Sequence, residues 1–249
     1  MINERIAEVR EQIRLHCERV GRDPSEVTLI AVSKTKPLSM VLEAAEGGQI
    51  DFGENKVQEM CEKHSLASDK PLRWHLIGHL QSNKAKKAVS VCTMIHSVDS
   101  IALAKDIDRH AAQLEKVQDI LLEINVAGEE SKFGITFASA EDIVREIAKL
   151  THVRLRGFMT VAPFVENAED NRVHFRALKN FLVDINAKNI DNINVDVLSM
   201  GMSGDYGVAV EEGATHVRVG TYIFVIKKLR LCSIHMCKPP KAFLHYLHL

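Results

Sequence analysis

The chain has 249 residues, 46% hydrophobic and 26% charged, with 32 basic against 33 acidic side chains and a formal charge of −1. Those proportions describe one soluble globular body, either a single large α/β domain or two small ones. Balanced charge leaves no electrostatic footprint for nucleic acid or an anionic membrane, and no apolar run approaches the roughly 20 residues that a bilayer span needs.

In chain order, residues 1–10 (MINERIAEVR) open a charged amphipathic helix over 3–20, which is not a signal peptide, and a cytoplasmic setting is expected. Short β-rich runs then alternate with longer stretches at helical period. Strands are predicted at 27–34, 50–54, 74–78, 94–98, 119–126, 154–161, 195–201 and 216–224. Helices are predicted at about 38–48, 55–66, 81–89, 99–116, 138–150, 168–189 and 203–213, with Asp99 and Ser139 at N-cap positions. Several strands are almost continuously apolar, as buried parallel strands are, and eight βα repeats match a closed barrel. The rival is a doubly wound open sheet, which usually carries a glycine-rich turn after its first strand. Here that turn is Ser33-Lys34-Thr35-Lys36-Pro37, without glycine. Residues 1–224 are therefore read as one α/β domain, a (β/α)8 TIM-type barrel with an extra N-terminal helix.

In a barrel, chemistry belongs where strands end and βα loops begin. Lys34 closes the run LIAVSK, where an ammonium in the mouth must pair, lose its proton or reach water. A neutral amine there is the nucleophile of a Schiff base; a solvated loop lysine is the plainer reading. Ser203 between Gly201 and Gly204 forms a hydroxyl-plus-glycine turn opening a helix, and Gly220-Thr221 follows one strand later. Free backbone N–H groups and two hydroxyls after strands seven and eight make a phosphate cradle. Opposite a strand-end lysine, that cradle points to a phosphorylated aldehyde.

The segments AVSKTKP at 31–37, FGEN at 52–55, WHLIGHLQSNK at 74–84, GEESKFG at 128–134, LSMGMS at 198–203 and VRVGTYIF at 217–224 resemble the pyridoxal phosphate homeostasis proteins. These are single-domain relatives of the barrel half of alanine racemase, and the resemblance runs over about 3–224. It implies that Lys34 holds pyridoxal 5'-phosphate (PLP) as an internal aldimine. It also implies that Ser203, Gly220 and Thr221 take the phosphate, and that Asn55, Met159 and Met200 surround the ring. For the methionines, ordinary core packing is the plainer reading. The racemase relatives place an arginine against the pyridine nitrogen, fifteen residues after a phosphate-site serine, and Ser203 and Arg218 keep that spacing. A guanidinium only donates hydrogen bonds, so the nitrogen facing it stays an unprotonated acceptor and the ring is a weakened electron sink.

Two functions compete. One is a non-catalytic PLP-binding protein that by resemblance holds or delivers the cofactor and balances vitamin B6 and amino-acid pools. Its recipients would be PLP-dependent apoenzymes and its assembly a monomer or weak homodimer. The alternative is a PLP-dependent, racemase-like enzyme, which needs a base on each face of the substrate. A cofactor-free Schiff-base aldolase would leave the ring-binding positions unexplained.

Five cysteines at 17, 61, 92, 232 and 237 fit no disulfide framework, and reduced thiols are expected. His75 and His79 straddle a strand-to-turn junction, a spacing that suits packing and hydrogen bonding better than metal ligation. Glu129, Glu130 and Lys132 in GEESKFG either gate the mouth or form a solvated loop. Residues 225–249 hold five basic and no acidic residues, two cysteines and three histidines, and depart from the family pattern like a frameshifted or disordered extension. Cys232, His235, Cys237 and His245 match no common zinc spacing.

Overall fold

Side chains alternate across a strand, so each strand supplies one row to the helices and one row to its other side. In the computed structural model, which describes residues 1–129 and 132–224, that alternation wraps into a closed barrel of eight parallel strands in sequence order. The strands are β1 (Thr28–Val32), β2 (Asp51–Glu54), β3 (Arg73–Leu76), β4 (Met94–Val98), β5 (Gln118–Glu123), β6 (Val153–Met159), β7 (Val197–Met202) and β8 (His216–Val219). Pairing of Thr28 with His216 through Ala31 with Val219 closes β1 onto β8. The helices are α1 (Ile2–Arg19), α2 (Leu38–Glu46), α3 (Val57–Leu66), α4 (Ala85–Val91), α5 (Ile101–Gln113), α6 (Phe137–Ile147), α7 (Arg172–Ala187), α8 (Tyr206–Glu211) and α9 (Thr221–Phe224). None of them is long and apolar enough to cross a membrane. The expectation for residues 225–249 lies outside the described residues.

One apolar layer joins barrel and helices, with Phe52, Trp74, Ile95 and Leu122 meeting Val41, Met60, Ile107 and Phe175. A separate small cluster of Met94, Leu121, Met159 and Val197 takes one residue from each of four successive strands. The extra helix α1 docks by Ile2, Ile6, Val9, Ile13 and Cys17, a stripe at helical spacing. Each fully buried valine or isoleucine contributes roughly 1.5–3 kcal/mol. Polar ties from α1 and the turn after it to α8 and the turn beyond complete the docking: His16 pairs with Glu211 at 2.7 Å, and Arg22 donates to the Val210 and Ala214 carbonyls at 2.6 and 3.1 Å.

Three local expectations are corrected. The eighth strand stops at Val219 instead of 224, because the Gly220 carbonyl accepts from the Ile223 and Phe224 amides and turns the chain into α9. Ser100, not Asp99, caps α5, its hydroxyl accepting from the Leu103 amide at 3.2 Å, while Asp99 faces His79. Helix α6 starts before Ser139, whose hydroxyl donates back to the Thr136 carbonyl at 3.2 Å.

Between barrel and α3, three buried polar groups anchor the first βα loop. The Lys63 ammonium donates to Glu54 at 2.7 Å, to Glu59 at 2.7 Å and to the Ser33 carbonyl at 2.8 Å, and the Ser33 hydroxyl donates to Glu54 at 2.6 Å. Replacing Lys63 by Met strands Glu54, which is fully buried, as an uncompensated charge. Lys63→Met is therefore expected to lower unfolding stability by about 3–5 kcal/mol in a denaturant titration. The double variant Lys63→Met/Glu54→Gln should recover most of that loss.

Candidate ligand site at the barrel mouth

The chain leaves β1 at Val32, buries Ser33 under Glu54, and sends Lys34 out to the mouth two residues beyond the strand end. Lys34 is exposed and has no ion-pair or hydrogen-bond partner among the described residues. Its loop is held from below: the Glu59 carboxylate accepts from the Thr35 amide at 2.7 Å, the Ser33 carbonyl accepts from the Lys36 amide at 3.0 Å, and Thr35 sits at φ 61°. Thus an anchored turn presents a free amine.

Across the mouth, β7 runs into the turn Met202-Ser203-Gly204-Asp205. Gly201 has φ +87°, and a Cβ on it would lie 2.6 Å from Ala209 and 2.9 Å from the Tyr206 backbone, so only glycine lets the strand pass that close to α8. Asp205, almost buried, accepts from the Met202 amide at 2.7 Å and from Asn171 at 2.8 Å and so fixes the turn. The Ser203 and Gly204 amides have no acceptor among the described residues, and the Ser203 hydroxyl accepts from the Gly220 amide at 3.3 Å. That bond ties the β7 and β8 turns together. Gly78 lets the β3 turn lie against Asn55, whose carbonyl oxygen would be 2.4 Å from any Cβ there.

These loops enclose a cavity of about 440 Å³. Six of the eight residues singled out from sequence line it: Lys34, Asn55, Ser203, Arg218, Gly220 and Thr221. Met159 and Met200 do not. Met159 belongs to the small four-strand cluster and Met200 to the layer under the helices. Sequence reasoning did not single out Ile77, Val161 and Met202, which supply apolar wall; only their places just past or at strand ends could have marked them.

Arg218 is 4% exposed and forms no ion pair with a carboxylate among the described residues. Its guanidinium donates to the Ser199 hydroxyl at 2.7 Å and to the Thr160 carbonyl at 2.8 Å, leaving further N–H groups uncommitted. Burial pushes its pKa down to about 10, against the favourable charges of Glu123 and Asp205, so it remains a cation at neutral pH. Behind it runs a file of side chains of which sequence reasoning singled out only His75, as a hydrogen-bonding residue, and missed Ser199, His96 and Asp51. Ser199 bonds His96 Nδ1 at 2.9 Å, His96 Nε2 bonds His75 Nδ1 at 3.0 Å, and His75 Nε2 bonds Asp51 at 2.9 Å. Strands β4 and β7 are not neighbours in the sheet, so the His96–Ser199 bond crosses the barrel interior. Asp51 and Arg73, which pair at the start of β2 and β3, line a second cavity at the other end.

At the rim, His79 stacks on Phe133 with centroids 4.0 Å apart and faces Asp99 at 3.2 Å, a packing role in keeping with its strand-to-turn position. Glu129 pairs with Lys132 at 2.7 Å; Glu130 lies outside the described residues. Among the described residues no group of histidine, cysteine and carboxylate side chains could hold a metal, and Cys17, Cys61 and Cys92 are free thiols.

Polar groups gathered on the βα loops at the C-terminal ends of eight parallel strands put the molecule in the class of α/β barrels whose chemistry resides at that face. The chain belongs to the family described as "Alanine racemase, N-terminal domain", whose pattern matches residues 6–228. Among its relatives is the pyridoxal phosphate homeostasis protein of Aquifex aeolicus, 40% identical over 225 residues that cover 90% of this chain and 98% of that one. The protein of the same name from Pseudomonas aeruginosa is 39% identical over 224 residues, covering 90% and 94%. The structure of PipY from Synechococcus elongatus PCC7942 with PLP bound superposes with a TM-score of 0.80 at 38% identity, covering 90% of this chain and all of that one.

Glu123, at the end of β5, is 7% exposed, and burial raises its carboxyl to about 7, with Asp99 adding and Arg218 opposing. The folded value lies above the unfolded value of about 4.3, so between the two the folded chain binds more protons, and stability falls as pH rises through that window. Glu123→Gln removes the effect. It is expected to unfold with about 2–3 kcal/mol more stability than the parent at pH 8 and equally at pH 4, read by urea denaturation at the two pH values.

Proposed function

We propose that this chain is a PLP-binding protein without turnover of its own, which holds the cofactor on Lys34 in the cytoplasm and serves vitamin B6 and amino-acid homeostasis. The observation that carries the reading is the cavity itself, whose lining Lys34 shares with the Ser203-Gly204 turn and Arg218. Lys34 lies just beyond the end of the first strand and, like Lys36 after it, has no side-chain partner among the described residues. The binding of PLP by PipY supports it. In this reading the neutral Lys34 amine adds to the aldehyde carbon, the C–N double bond forms and one water leaves. The Ser203 and Thr221 hydroxyls, with the Ser203, Gly204 and Gly220 backbone, receive the phosphate, and Asn55 lies beside the ring. Met159 and Met200 serve as packing behind the wall. Arg218 donates to the pyridine nitrogen and keeps it unprotonated, which suits storage better than carbanion chemistry. All proposed contacts come from one chain, so a monomer or weak homodimer suffices, and PLP-dependent apoenzymes are the recipients this reading implies.

Borohydride reduction followed by peptide mapping tests the attachment. Lys34→Ala should abolish the adduct and Lys36→Ala should retain it; an adduct mapped to Lys36 would overturn the assignment.

Loss of the Ser203 hydroxyl removes one charge-assisted hydrogen bond, roughly 1.5–3 kcal/mol, so Ser203→Ala should weaken PLP retention by about 10- to 150-fold. Pyridoxal without phosphate should bind poorly to both forms, and equal affinity for the two compounds would remove the phosphate role.

Given alanine and other amino acids, the loaded protein should racemise no faster than free PLP. Robust turnover would instead establish the racemase-like enzyme. Arg218→Glu, if it still loads, should speed exchange of the substrate α-proton, since a carboxylate favours the protonated ring.

A further inference from the structure

The file from Arg218 to Asp51 contains two neutral-capable rings and one hydroxyl, and its donors and acceptors can be assigned. The Asp51 carboxylate only accepts, so His75 Nε2 carries a proton and donates to it. With His75 neutral, its Nδ1 is an acceptor, and His96 Nε2–H donates to it. His96 Nδ1 is then bare and accepts from the Ser199 O–H, which frees the Ser199 lone pairs to accept from Arg218. Every bond points the same way, from the arginine cation to the aspartate anion. A charged His75 would reverse the run beyond Nδ1. His96 would then donate to Ser199, leaving that oxygen with two donors aimed at it and its own proton with no acceptor in the file.

The surroundings of His96 favour the neutral pattern. His96 is fully buried, and burial, with His75, His216 and Arg218 as charged or chargeable neighbours, holds its pKa well below the ordinary histidine value. His216, with its ring centroid 6.2 Å from that of His75 and 6.1 Å from that of His96, is held down to about 3, mainly by burial. Asp51 stays below its ordinary value: burial pushes it up, but the His75 and Arg73 hydrogen bonds outweigh that.

We propose that Asp51, His75, His96 and Ser199 form a positioning relay, which keeps the Ser199 oxygen turned as an acceptor toward Arg218 and so fixes the guanidinium in the cavity wall. None of the first three lines the cavity at the mouth, and Asp51 lines the cavity at the opposite end. The relay's effect on a bound cofactor rests on the PLP reading above; its proton pattern does not.

The test has two independent arms. Nitrogen-15 NMR of the unloaded full chain should show His75 and His96 both as Nε2–H tautomers, with His96 not titrating between about pH 6 and 8. An imidazolium or an Nδ1–H tautomer at either ring would overturn the relay whatever the cofactor does. In the second arm the chain is loaded with PLP and its absorbance band and retention are followed against pH. His96→Phe breaks the file, and Asp51→Asn removes its directional end. Each should weaken retention by about 3- to 10-fold and shift the band in the same direction as Ser199→Ala. His96→Gln, which can donate to His75 and accept from Ser199, should restore the parent band. If His96→Phe fails to fold, Asp51→Asn and His96→Gln carry this arm. A band and retention unchanged in Asp51→Asn would overturn the positioning role. Failure of the parent chain to retain PLP would overturn the cofactor reading and leave the tautomer result to decide the relay.

Discussion

A closed barrel has to fill its own interior, and along one line this one fills it with charge and hydrogen bonds. Arg218 near the mouth and Asp51 at the far end are opposite charges held apart by two imidazoles and a hydroxyl. In a medium of low dielectric each of those groups is tolerable only if its partners are in place. Arg218 can therefore sit in the wall of the cavity with no carboxylate paired to it among the described residues. A carboxylate placed directly against it would have neutralised the feature that distinguishes this mouth.

The loops above that column are short and separately anchored. The first is pinned by Lys63, Glu54 and Glu59 from beneath, the seventh by Asp205 with Asn171, and the seventh and eighth are joined through Ser203 and Gly220. In the first two cases a charged group reaches a backbone atom of the loop, and in the third a hydroxyl does. The exposed amine of Lys34 and the free amides of Ser203 and Gly204 are thus presented by turns that have little freedom to collapse onto them.

The alternation of elements made the barrel legible, because eight apolar runs separated by helical periods leave few other arrangements. What the pattern could not show was where apolar character stops meaning strand. In VGTYIF the residues are β-branched or aromatic, yet Gly220 turns the chain and a four-residue helix is too short to display a period. Asp99 and Ser100 are both competent caps, and the choice was made by His79, a residue twenty positions away. Polar residues bracketing strand ends revealed most of the mouth, since a lysine, an arginine and two glycine-hydroxyl turns at such places need a reason. The interior file was hidden for the opposite cause: Asp51, His75, His96 and Ser199 lie on four strands, one apiece, and only barrel closure brings them together. A polar residue within the otherwise apolar strands DFGE, RWHL, MIHSV or VLSM was the available signal.

Helix α1 is clasped to the last described helix, with Arg5 donating to the Ile223 carbonyl and Tyr222 to Glu8, and β1 finds its second neighbour only when β8 arrives. The chain consequently commits to its fold late. Until residues 216–224 have been synthesised, β1 and β7 are unpaired parallel edges and the apolar stripe of α1 lacks its final cover. Contacts between such distant stretches of sequence are slow to form, and an open sheet with two bare edges is prone to pair with another chain. Substitutions along the β1–β8 seam, which leave those edges open for longer, should therefore lower the soluble fraction before they measurably alter the finished molecule.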